Sequence, residues 1–428
     1  MIVNMGLNKT DKLLEKFFER ERWERAVDIA LDKKIDKAKL RKLMSPDMRL
    51  AMYEAIKNDN YLIAPPRQQK IPKDNGDFRI VYINEDLDRI FLSIANELFF
   101  ELCGDMIHPS CKSYQSGIGC GKIVQEVSRV MQRTRGIEVG VKNDLTKYFD
   151  SVPIGWIDYI FDEIEKRTGK SKIIDVVRAY YHQHICFDTE GNIVEKYQSL
   201  KQGCAVASFL ADAVLYHIDE SISQMNVMYV RYSDDILIVG PDWRDAEERM
   251  AKMLSDMMLT LNPKKVEVIR KNRWFKFLGF NIKNHMITLS KSRVKDFQKT
   301  IMELTIKDRN NTVRKAVNKV LRFLYIGDGH YSWATQVLPV INVERDIQEL
   351  NKFVMDCIRA VETGNKKVAG LGSVMDREDY TIVRGTGRHV TGNRQKTTKN
   401  IQGYKSLRCM QVAIFSGREV YEAIIRRM

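Results

Sequence analysis

Two adjacent aspartates, Asp234 and Asp235, lie in segment 230–239, where apolar and β-branched residues flank them. Such residues on either side of a short polar pair predict a β-hairpin with both carboxylates at its tip. Neighbouring carboxylates repel each other unless a cation lies between them, and a hard divalent ion such as magnesium prefers carboxylate oxygens. A solvated Asp-Asp turn would contain the same dipeptide, so the pair alone does not establish a metal site.

A third carboxylate, Asp144, stands near the end of a second β-rich segment, 137–145, after which the chain turns toward a helix. A strand-end carboxylate and a hairpin-tip pair can together hold two metal ions roughly 4 Å apart. We therefore predict that Asp144 converges with Asp234 and Asp235 to bind two magnesium ions for in-line phosphoryl transfer. For Asp144 alone, a helix-capping role is the alternative.

Three segments resemble, in the same order, the catalytic blocks of reverse transcriptases of the group II intron and retron kind. Asp144 with Tyr-Phe-Asp at 148–150 is similar to the first block, and Tyr-Ser-Asp-Asp at 232–235 to the Y-x-D-D block. Between them, 202–212 resembles Q-G-x-x-x-S-P-x-L-A-N. This middle block differs from the family, since Ala-Ser replaces Ser-Pro and Asp212 replaces Asn.

The resemblance implies an RNA-directed DNA polymerase that uses an RNA template and dNTPs to make a DNA product. It implies an α+β, right-hand polymerase fold, in which fingers and palm combine an antiparallel sheet with helices and the thumb is mainly helical. By the same resemblance, catalysis falls to Asp144, Asp234, Asp235 and Lys265. The implied metal ligands for two Mg²⁺ ions are Asp144, Leu145, Asp234 and Asp235.

Phe149 bears on the choice of nucleotide. In the family, the position five residues after the first aspartate lies beneath the sugar of the incoming nucleotide. A bulky aromatic ring there clashes with a 2′-hydroxyl, so the resemblance favours deoxynucleotides. A core aromatic without this role is the alternative.

The remaining substrate residues also follow from the resemblance. Residues 71–79 are similar to the I-P-K-x-x-G-x-x-R strand of the fingers, so Lys73 and Arg79 would bind the triphosphate. The lysine would supply a compact positive charge, and the arginine two parallel hydrogen bonds. Gln202 and Tyr232 complete the implied substrate-binding set. Without the resemblance, two basic residues beside a turn would indicate only a solvated face.

Two further blocks lie downstream. Residues 259–265 resemble L-x-L-N-P-x-K, and Lys265 matches the lysine that would protonate the departing pyrophosphate as a general acid. Phe-Leu-Gly-Phe at 277–280 resembles the turn that supports the primer end. A glycine-containing hairpin with buried aromatics is compatible with the same function.

Hydrophobic periodicity and turn residues predict the elements that position these groups. The predicted helices are 9–34, 46–57, 87–102 and 123–132, the predicted strands 78–83, 137–145 and 228–239, with a mainly helical stretch at 290–361 and loops at 364–400. The predicted domains are an N-terminal helical extension (1–65), fingers (66–136), palm (137–285, with inserted fingers helices at about 155–200), thumb (286–363) and a basic C-terminal RNA-binding region (364–428).

Composition bears on partners and compartment. The chain has 428 residues and a formal net charge of +14. The last 65 residues contain thirteen Lys and Arg against five Asp and Glu, a net charge of +8 that favours a polyanionic partner. No apolar run is long enough for a membrane helix, no secretory signal is recognisable, and the seven cysteines form no C-x-x-C pair. We expect a cytoplasmic protein with no membrane partner and reduced thiols.

The length, the atypical middle block and the unmatched basic end resemble bacterial "unknown group" reverse transcriptases. Several of those act in antiphage defence with a dedicated noncoding RNA, which the basic region would bind, with stacking from Tyr404. The alternatives are an RNA-dependent RNA polymerase, a non-catalytic RNA-binding scaffold of the maturase kind, and an enzyme that adds nucleotides without a template or onto a protein hydroxyl. The sequence does not indicate an oligomeric state.

Overall fold

The computed structural model describes residues 11–32, 38, 42, 45–73, 76–114, 119–308, 310–327, 332–363, 401 and 403–426. The helices are α1 (Lys12–Phe17), α2 (Arg20–Asp32), α3 (Pro46–Lys57), α4 (Asp86–Cys103), α5 (Cys120–Arg133), α6 (Tyr148–Ser151), α7 (Ile154–Thr168), α8 (Lys172–His182), α9 (Val206–Val214), α10 (Tyr216–Ser223), α11 (Trp243–Asp256), α12 (Lys291–Leu304), α13 (Val313–Leu321), α14 (Trp333–Gln336), α15 (Glu344–Thr363), α16 (Leu407–Ser416) and α17 (Arg418–Ile425). The strands are β1 (Arg67–Pro72), β2 (Phe78–Ile83), β3 (Glu138–Asp144), β4 (Ile185–Phe187), β5 (Ile193–Glu195), β6 (Met228–Tyr232), β7 (Asp235–Val239), β8 (Glu267–Arg270), β9 (Phe275–Phe277), β10 (Phe280–Lys283) and β11 (Met286–Leu289).

The predicted N-terminal helix is in fact two helices. α1 ends at Phe17, whose carbonyl accepts a hydrogen bond from the indole N–H of Trp23 at 3.0 Å. The break brings the rings of Phe17, Phe18 and Trp23 together, with Phe18 stacked on Trp23 at a centroid distance of 5.7 Å. Aromatic packing therefore outweighs the continuous helical periodicity here.

The chain divides into two compact units. Unit 1 comprises Met1–Ser116 and Gly140–Val268, and unit 2 comprises Gly117–Val139 and Ile269–Met428. Unit 1 contains a four-stranded sheet with the order β2-β1-β4-β5. It is mixed, because β1 pairs antiparallel with β2 and parallel with β4.

A second four-stranded sheet, with the order β6-β7-β3-β8, positions the candidate site. β7 is antiparallel to both β6 and β3, and its residues after the first are fully buried, because α10 packs against β6 and α11 against β7. β3 and β7 approach closely at Gly140, where a Cβ atom would lie 2.2 Å from the carbonyl oxygen of Ile238. Only glycine fits this close backbone approach.

In unit 2, β9, β10 and β11 form an antiparallel meander. The predicted Phe-Leu-Gly-Phe turn joins β9 to β10, and Leu278 and Gly279 have φ values of 47° and 80°, the signs that a type I′ turn requires. A Cβ atom on Gly279 would lie 2.9 Å from Cδ of Arg293. The guanidinium of Arg293 lies 4.5 Å from the ring centre of Phe280.

The C-terminal helices α16 and α17 follow Tyr404, the residue predicted to stack on RNA. Its hydroxyl donates a hydrogen bond to Oδ1 of Asn351 in α15 at 2.8 Å, and the stacking stays a prediction. The side-chain amide of Gln411 in α16 donates to the carbonyls of Leu338 and Ile341, each at 2.8 Å. The end of the predicted RNA-binding region thus packs within unit 2, whereas the predicted loop region 364–400 lies outside the described residues.

The helices of the described part of the chain include none that is both long and apolar enough for a transmembrane span. None of the seven cysteines is in a disulfide.

Candidate active site

The turn between β6 and β7 consists of Ser233 and Asp234. Tyr232 and Asp235 are cross-strand partners on either side of it, so the predicted hairpin has a two-residue loop. Ser233 has a φ of 58°, the sign that a type II′ turn requires at its first central residue. A residue other than glycine costs about 1–2 kcal/mol in this conformation, so the surrounding structure must stabilise the turn.

β3 ends beside this turn. Its last residue, Asp144, is the cross-strand partner of Asp235, and the N–H of Leu145 donates to the carbonyl of Asp234 at 3.2 Å. The carbonyl of Asp144 accepts from the N–H of Asn262 at 2.7 Å. Two strands that are distant in sequence thus bring the three candidate aspartates together.

Two lysines form ion pairs with two of these aspartates. We call the five residues Asp144, Asp234, Asp235, Lys142 and Lys265 the carboxylate cluster. Nζ of Lys265 lies 2.7 Å from Oδ2 of Asp144, and Nζ of Lys142 lies 3.4 Å from Oδ1 of Asp235. The side chain of Lys265 is 57% exposed, so its ion pair is in contact with water and can exchange. The structure therefore places the predicted general acid directly on a candidate catalytic carboxylate.

The pKa of the Asp234 carboxyl is raised above its ordinary value. Burial raises its pKa, the negative charges of Asp144 and Asp235 raise it further, and Lys265 opposes the rise. A raised carboxyl pKa means that the ionised form is destabilised in this environment. An added positive charge beside Asp234 would relieve that destabilisation.

Within the described residues, no group of three or more Asp, Glu, His or Cys side chains is arranged to hold a metal ion as it stands. In this structure Asp144 and Asp235 each direct an oxygen to a lysine. The donor set still fits a hard divalent cation, since three carboxylates meet at one end of the sheet and Asp234 is destabilised by its like-charged neighbours. The binding of two magnesium ions stays a prediction.

Phe149 lies in the short helix α6, which follows Asp144 after a turn with a left-handed residue, Lys147 (φ 45°). Its side chain is half-buried against the core, with its ring centre 5.7 Å from that of Tyr148. The hydroxyl of Tyr148 donates to the carbonyl of Ala211 at 2.6 Å and so fixes α6 to α9. The Phe149 side chain is thus partly held by the core, as both predicted roles require.

The other substrate candidates lie on the β1–β2 hairpin, on the loop before α9 and at the end of β6. Lys73 and Arg79 are exposed on the β1–β2 hairpin, which closes through a hydrogen bond from the N–H of Lys73 to the carbonyl of Asp77 at 2.7 Å. Gln202 lies on a loop, and its main-chain carbonyl accepts a hydrogen bond from the N–H of Tyr82 in β2 at 2.7 Å. Tyr232 ends β6 opposite Asp235.

Gly203 explains how closely the Gln202 loop approaches β2. Its φ of 100° belongs to the left-handed region, and a Cβ atom would lie 3.1 Å from the carbonyl oxygen of Tyr82. The Gln-Gly pair therefore has a local structural reason, because the loop that contains it lies directly against β2.

Sequence reasoning missed two charged residues of the site. Lys142 stands two residues before Asp144, and alternate residues of a strand share a face, so its position beside the carboxylates was readable from the sequence. Arg231 is a charge inside an apolar strand and is completely buried. Its acidic partners, Asp212 and Asp219, lie in α9 and α10, and no local pattern indicates that pairing.

Comparison with known proteins adds a family match. Residues 71–282 match the reverse transcriptase (RNA-dependent DNA polymerase) family. No curated protein is significantly similar in sequence.

Among solved structures, the chain is similar to apo telomerase from Candida tropicalis truncated from the C-terminal domain, at 14% identity and a TM-score of 0.42 over 56% of this chain and 59% of that one. It is also similar to telomerase from Candida tropicalis in complex with a TWJ fragment of telomeric RNA (13%, TM-score 0.44, 76% and 66%). A third is the RNA-dependent RNA polymerase of a human picobirnavirus with an insertion loop deleted (11%, TM-score 0.46, 72% and 59%). The chain thus spans about three fifths to two thirds of these longer chains.

Proposed function

We propose that this chain, whose residues 71–282 form a reverse transcriptase domain, copies an RNA template into DNA from dNTPs by magnesium-dependent phosphoryl transfer. The observation that supports this most directly is the register of β3 and β7, which sets Asp144 opposite Asp235 and next to Asp234. A protein that only binds RNA has no need of three acidic side chains at one point of its surface, because they repel phosphate.

Asp144, Asp234 and Asp235 would hold the magnesium, with Leu145 in the same set. Two bound ions would activate the primer 3′-hydroxyl and stabilise the charge on the transferring phosphate. Lys142 and Lys265 would give up their contacts with the carboxylates as the cation replaces them. Lys265 would then be free to donate a proton to the departing pyrophosphate, as a general acid.

The test of catalysis is the double substitution Asp234→Ala with Asp235→Ala. We expect primer extension on an RNA template with dNTPs and magnesium to fall on the order of 10⁴-fold. Asp256→Ala is the matched control, because Asp256 is exposed at the end of α11 and lies outside the carboxylate cluster. Unaltered extension by the double variant would favour a non-catalytic RNA-binding scaffold.

Phe149 would exclude ribonucleotides, and this separates the proposal from an RNA-dependent RNA polymerase. We expect Phe149→Val to lower the preference for dNTPs over NTPs about tenfold, because a smaller side chain leaves room for a 2′-hydroxyl. Phe100→Val is the control, since Phe100 is also half-buried and packs edge-on against Phe209 at 5.3 Å. An unchanged preference in Phe149→Val, or an equal change in both variants, would assign Phe149 to packing alone.

A dedicated noncoding RNA is the partner we propose, with a role in antiphage defence. Support comes from the basic segment 364–400, which has eight Lys and Arg against three Asp and Glu. Because α16 and α17 pack within unit 2, replacing these eight residues with Gln tests the segment without removing those helices. We expect affinity for co-purifying RNA to fall at least about tenfold at physiological salt and its salt dependence to weaken.

The control for this test is the reverse change of charge. Asp376→Asn, Glu378→Gln and Asp379→Asn leave every basic residue in place, so RNA binding should tighten or stay the same. If the variant with eight Gln substitutions binds the RNA as tightly as the unaltered chain does, the segment is not the RNA-binding element. Sequencing of the RNA that co-purifies would identify the template.

A further inference from the structure

Arg231 is a buried cation at the centre of a hydrogen-bonded network. Its Nε and Nη2 atoms lie 2.8 and 2.6 Å from Oδ1 and Oδ2 of Asp219, a bidentate pair in which both side chains are completely buried. Nη2 also donates to the carbonyl of Asp212 at 2.8 Å, and Nη1 lies 3.5 Å from Oδ1 of Asp212. The hydroxyl of Tyr229 donates to Oδ1 of Asp219 at 2.8 Å. Such a network is expensive to desolvate, so its retention calls for a reason.

The network reaches the main chain of Ser233 on both sides of the residue. Nη1 of Arg231 donates to the carbonyl of Ser233 at 3.3 Å. The hydroxyl oxygen of Ser113 accepts from the N–H of Ser233 at 3.0 Å and donates to Oδ1 of Asp212 at 2.6 Å. We call Ser113, Asp212, Asp219 and Arg231 the arginine cluster.

Ser233 is the residue at which such support matters most. It has the positive φ of the two-residue turn, and its carbonyl group is joined directly to the nitrogen of Asp234. Fixing both peptide groups of Ser233 limits the directions that the Asp234 side chain can take. A strained turn at a candidate active site persists only when its surroundings stabilise it.

The strand that carries Arg231 is also held at its edge. The N–H of Arg231 donates to the carbonyl of Ser110 at 3.0 Å, and the carbonyl of Arg231 accepts from the N–H of Lys112 at 2.8 Å. These bonds place Ser113 at the end of a short segment that pairs with β6. The position of the Ser113 hydroxyl is therefore determined by main-chain pairing as well as by Asp212.

We propose that the arginine cluster is a positioning device that holds the Ser233 turn so that Asp234 points toward Asp144 and Asp235, with Ser113 and Arg231 as positioning residues. The inference rests on the proposed polymerase function and adds residues to it. Ser113 is the direct link, because one hydroxyl group bonds to both the turn and the ionic network.

Ser113→Ala tests the proposal, with Ser113→Thr as the conservative variant that keeps a hydroxyl. Ser128→Ala is the matched control, since Ser128 is also buried and its hydroxyl donates one hydrogen bond, to the carbonyl of Asn284 at 2.7 Å. We expect kcat to fall about tenfold in Ser113→Ala with KM for dNTP within about twofold, and Ser113→Thr to recover most of the loss. The thermal midpoint should fall no further than in Ser128→Ala.

Amide hydrogen exchange gives a readout that does not need activity. Exchange in a peptide covering 231–235 should accelerate at least about fivefold in Ser113→Ala and stay unchanged in Ser128→Ala, because only the former loses a bond to the Ser233 N–H. If exchange and kcat in Ser113→Ala match those of the control, the proposal is wrong. If the unaltered protein shows no polymerase activity, the proposed function fails, and the exchange result still decides whether the cluster holds the turn.

Substitutions of Asp212 provide a second test, because they separate the loss of its negative charge from the loss of its hydrogen bond with Ser113. Asp212→Asn keeps an oxygen that accepts from Ser113, so we expect kcat within about threefold of the unaltered chain. Asp212→Ala removes the acceptor and should behave like Ser113→Ala in both kcat and hydrogen exchange. Equal kcat values for Asp212→Ala and Asp212→Asn would overturn the link through Ser113.

Discussion

The Ser233–Asp234 turn lies between two groups of charges that differ in exposure. In the carboxylate cluster, the lysine partners contact water, and the ion pairs join single atoms, such as Nζ of Lys265 and Oδ2 of Asp144 at 2.7 Å. In the arginine cluster, Arg231 and Asp219 form a bidentate pair with no exposed surface. The first kind of pair contributes little to stability and exchanges readily, whereas the second is costly to break.

This difference matches what each cluster would do in a polymerase. Carboxylates that must accept a cation need partners that leave easily, and the flexible ammonium of lysine is suited to that. A turn that must keep its shape through many reaction cycles needs partners that stay, and the planar fork of arginine provides several fixed bonds. The same hairpin thus combines an exchangeable side with a permanent one.

The largest effect should follow from breaking the arginine cluster. Arg231→Met leaves Asp219 buried without its cation, so we expect the free energy of unfolding to fall by about 3–5 kcal/mol. Urea unfolding at neutral pH measures this change. A loss below about 1 kcal/mol would mean that the buried pair behaves like a surface pair, and the contrast between the clusters would disappear.

Lys265→Met should separate stability from activity. Because the pair with Asp144 is solvent-exposed on the lysine side, we expect the free energy of unfolding to change by less than about 1 kcal/mol. We expect kcat to fall about 100-fold, since a general acid would be lost. The pH dependence of kcat checks the role, because the variant should lose its decline at high pH; a retained decline would point to a different proton donor.

The smallest effect concerns the pH dependence of stability in metal-free protein. The pKa of Asp234 is raised in the folded state, so its ionised form destabilises the fold above that pKa, and protonation removes the penalty as the pH falls. Asp234→Asn in EDTA should therefore raise the thermal midpoint by roughly 2 °C at pH 7 and lose this advantage in acid. A midpoint difference that grows as the pH falls would contradict the assigned direction.

Much of the local structure was predictable from the sequence. Helix α3 and strand β2 match their predicted bounds, because Ser45 caps the helix start and polar turn residues precede the strand. The hairpin tip at Asp234 and the strand-end position of Asp144 were also predicted. The convergence of Asp144 with Asp234 and Asp235 was predicted from the positions of the carboxylates, but the register that sets Asp144 opposite Asp235 was not, since strand pairing is a long-range property.

The parts that sequence did not reveal depend on distant partners. Strands β4 and β5 have only three residues each, and β4 is fixed by parallel pairing with β1, more than a hundred residues earlier, between Arg67 and Phe187. Tyr404 has the same residue type whether or not it contacts Asn351, so its hydrogen bond to that side chain could not be predicted from the sequence. The named subdomain boundaries and the cytoplasmic location stay predictions.

Gly140 shows how one missing side chain sets the spacing of the two strands that carry Asp144 and Asp235. Even a single methyl group there would meet the Ile238 carbonyl at 2.2 Å and would act as a wedge between β3 and β7. The wedge would sit four residues upstream of Asp144, on the strand whose far end faces Asp235. Gly140 has no reactive group, yet its lack of a side chain determines how closely the strands that carry Asp144 and Asp235 approach each other.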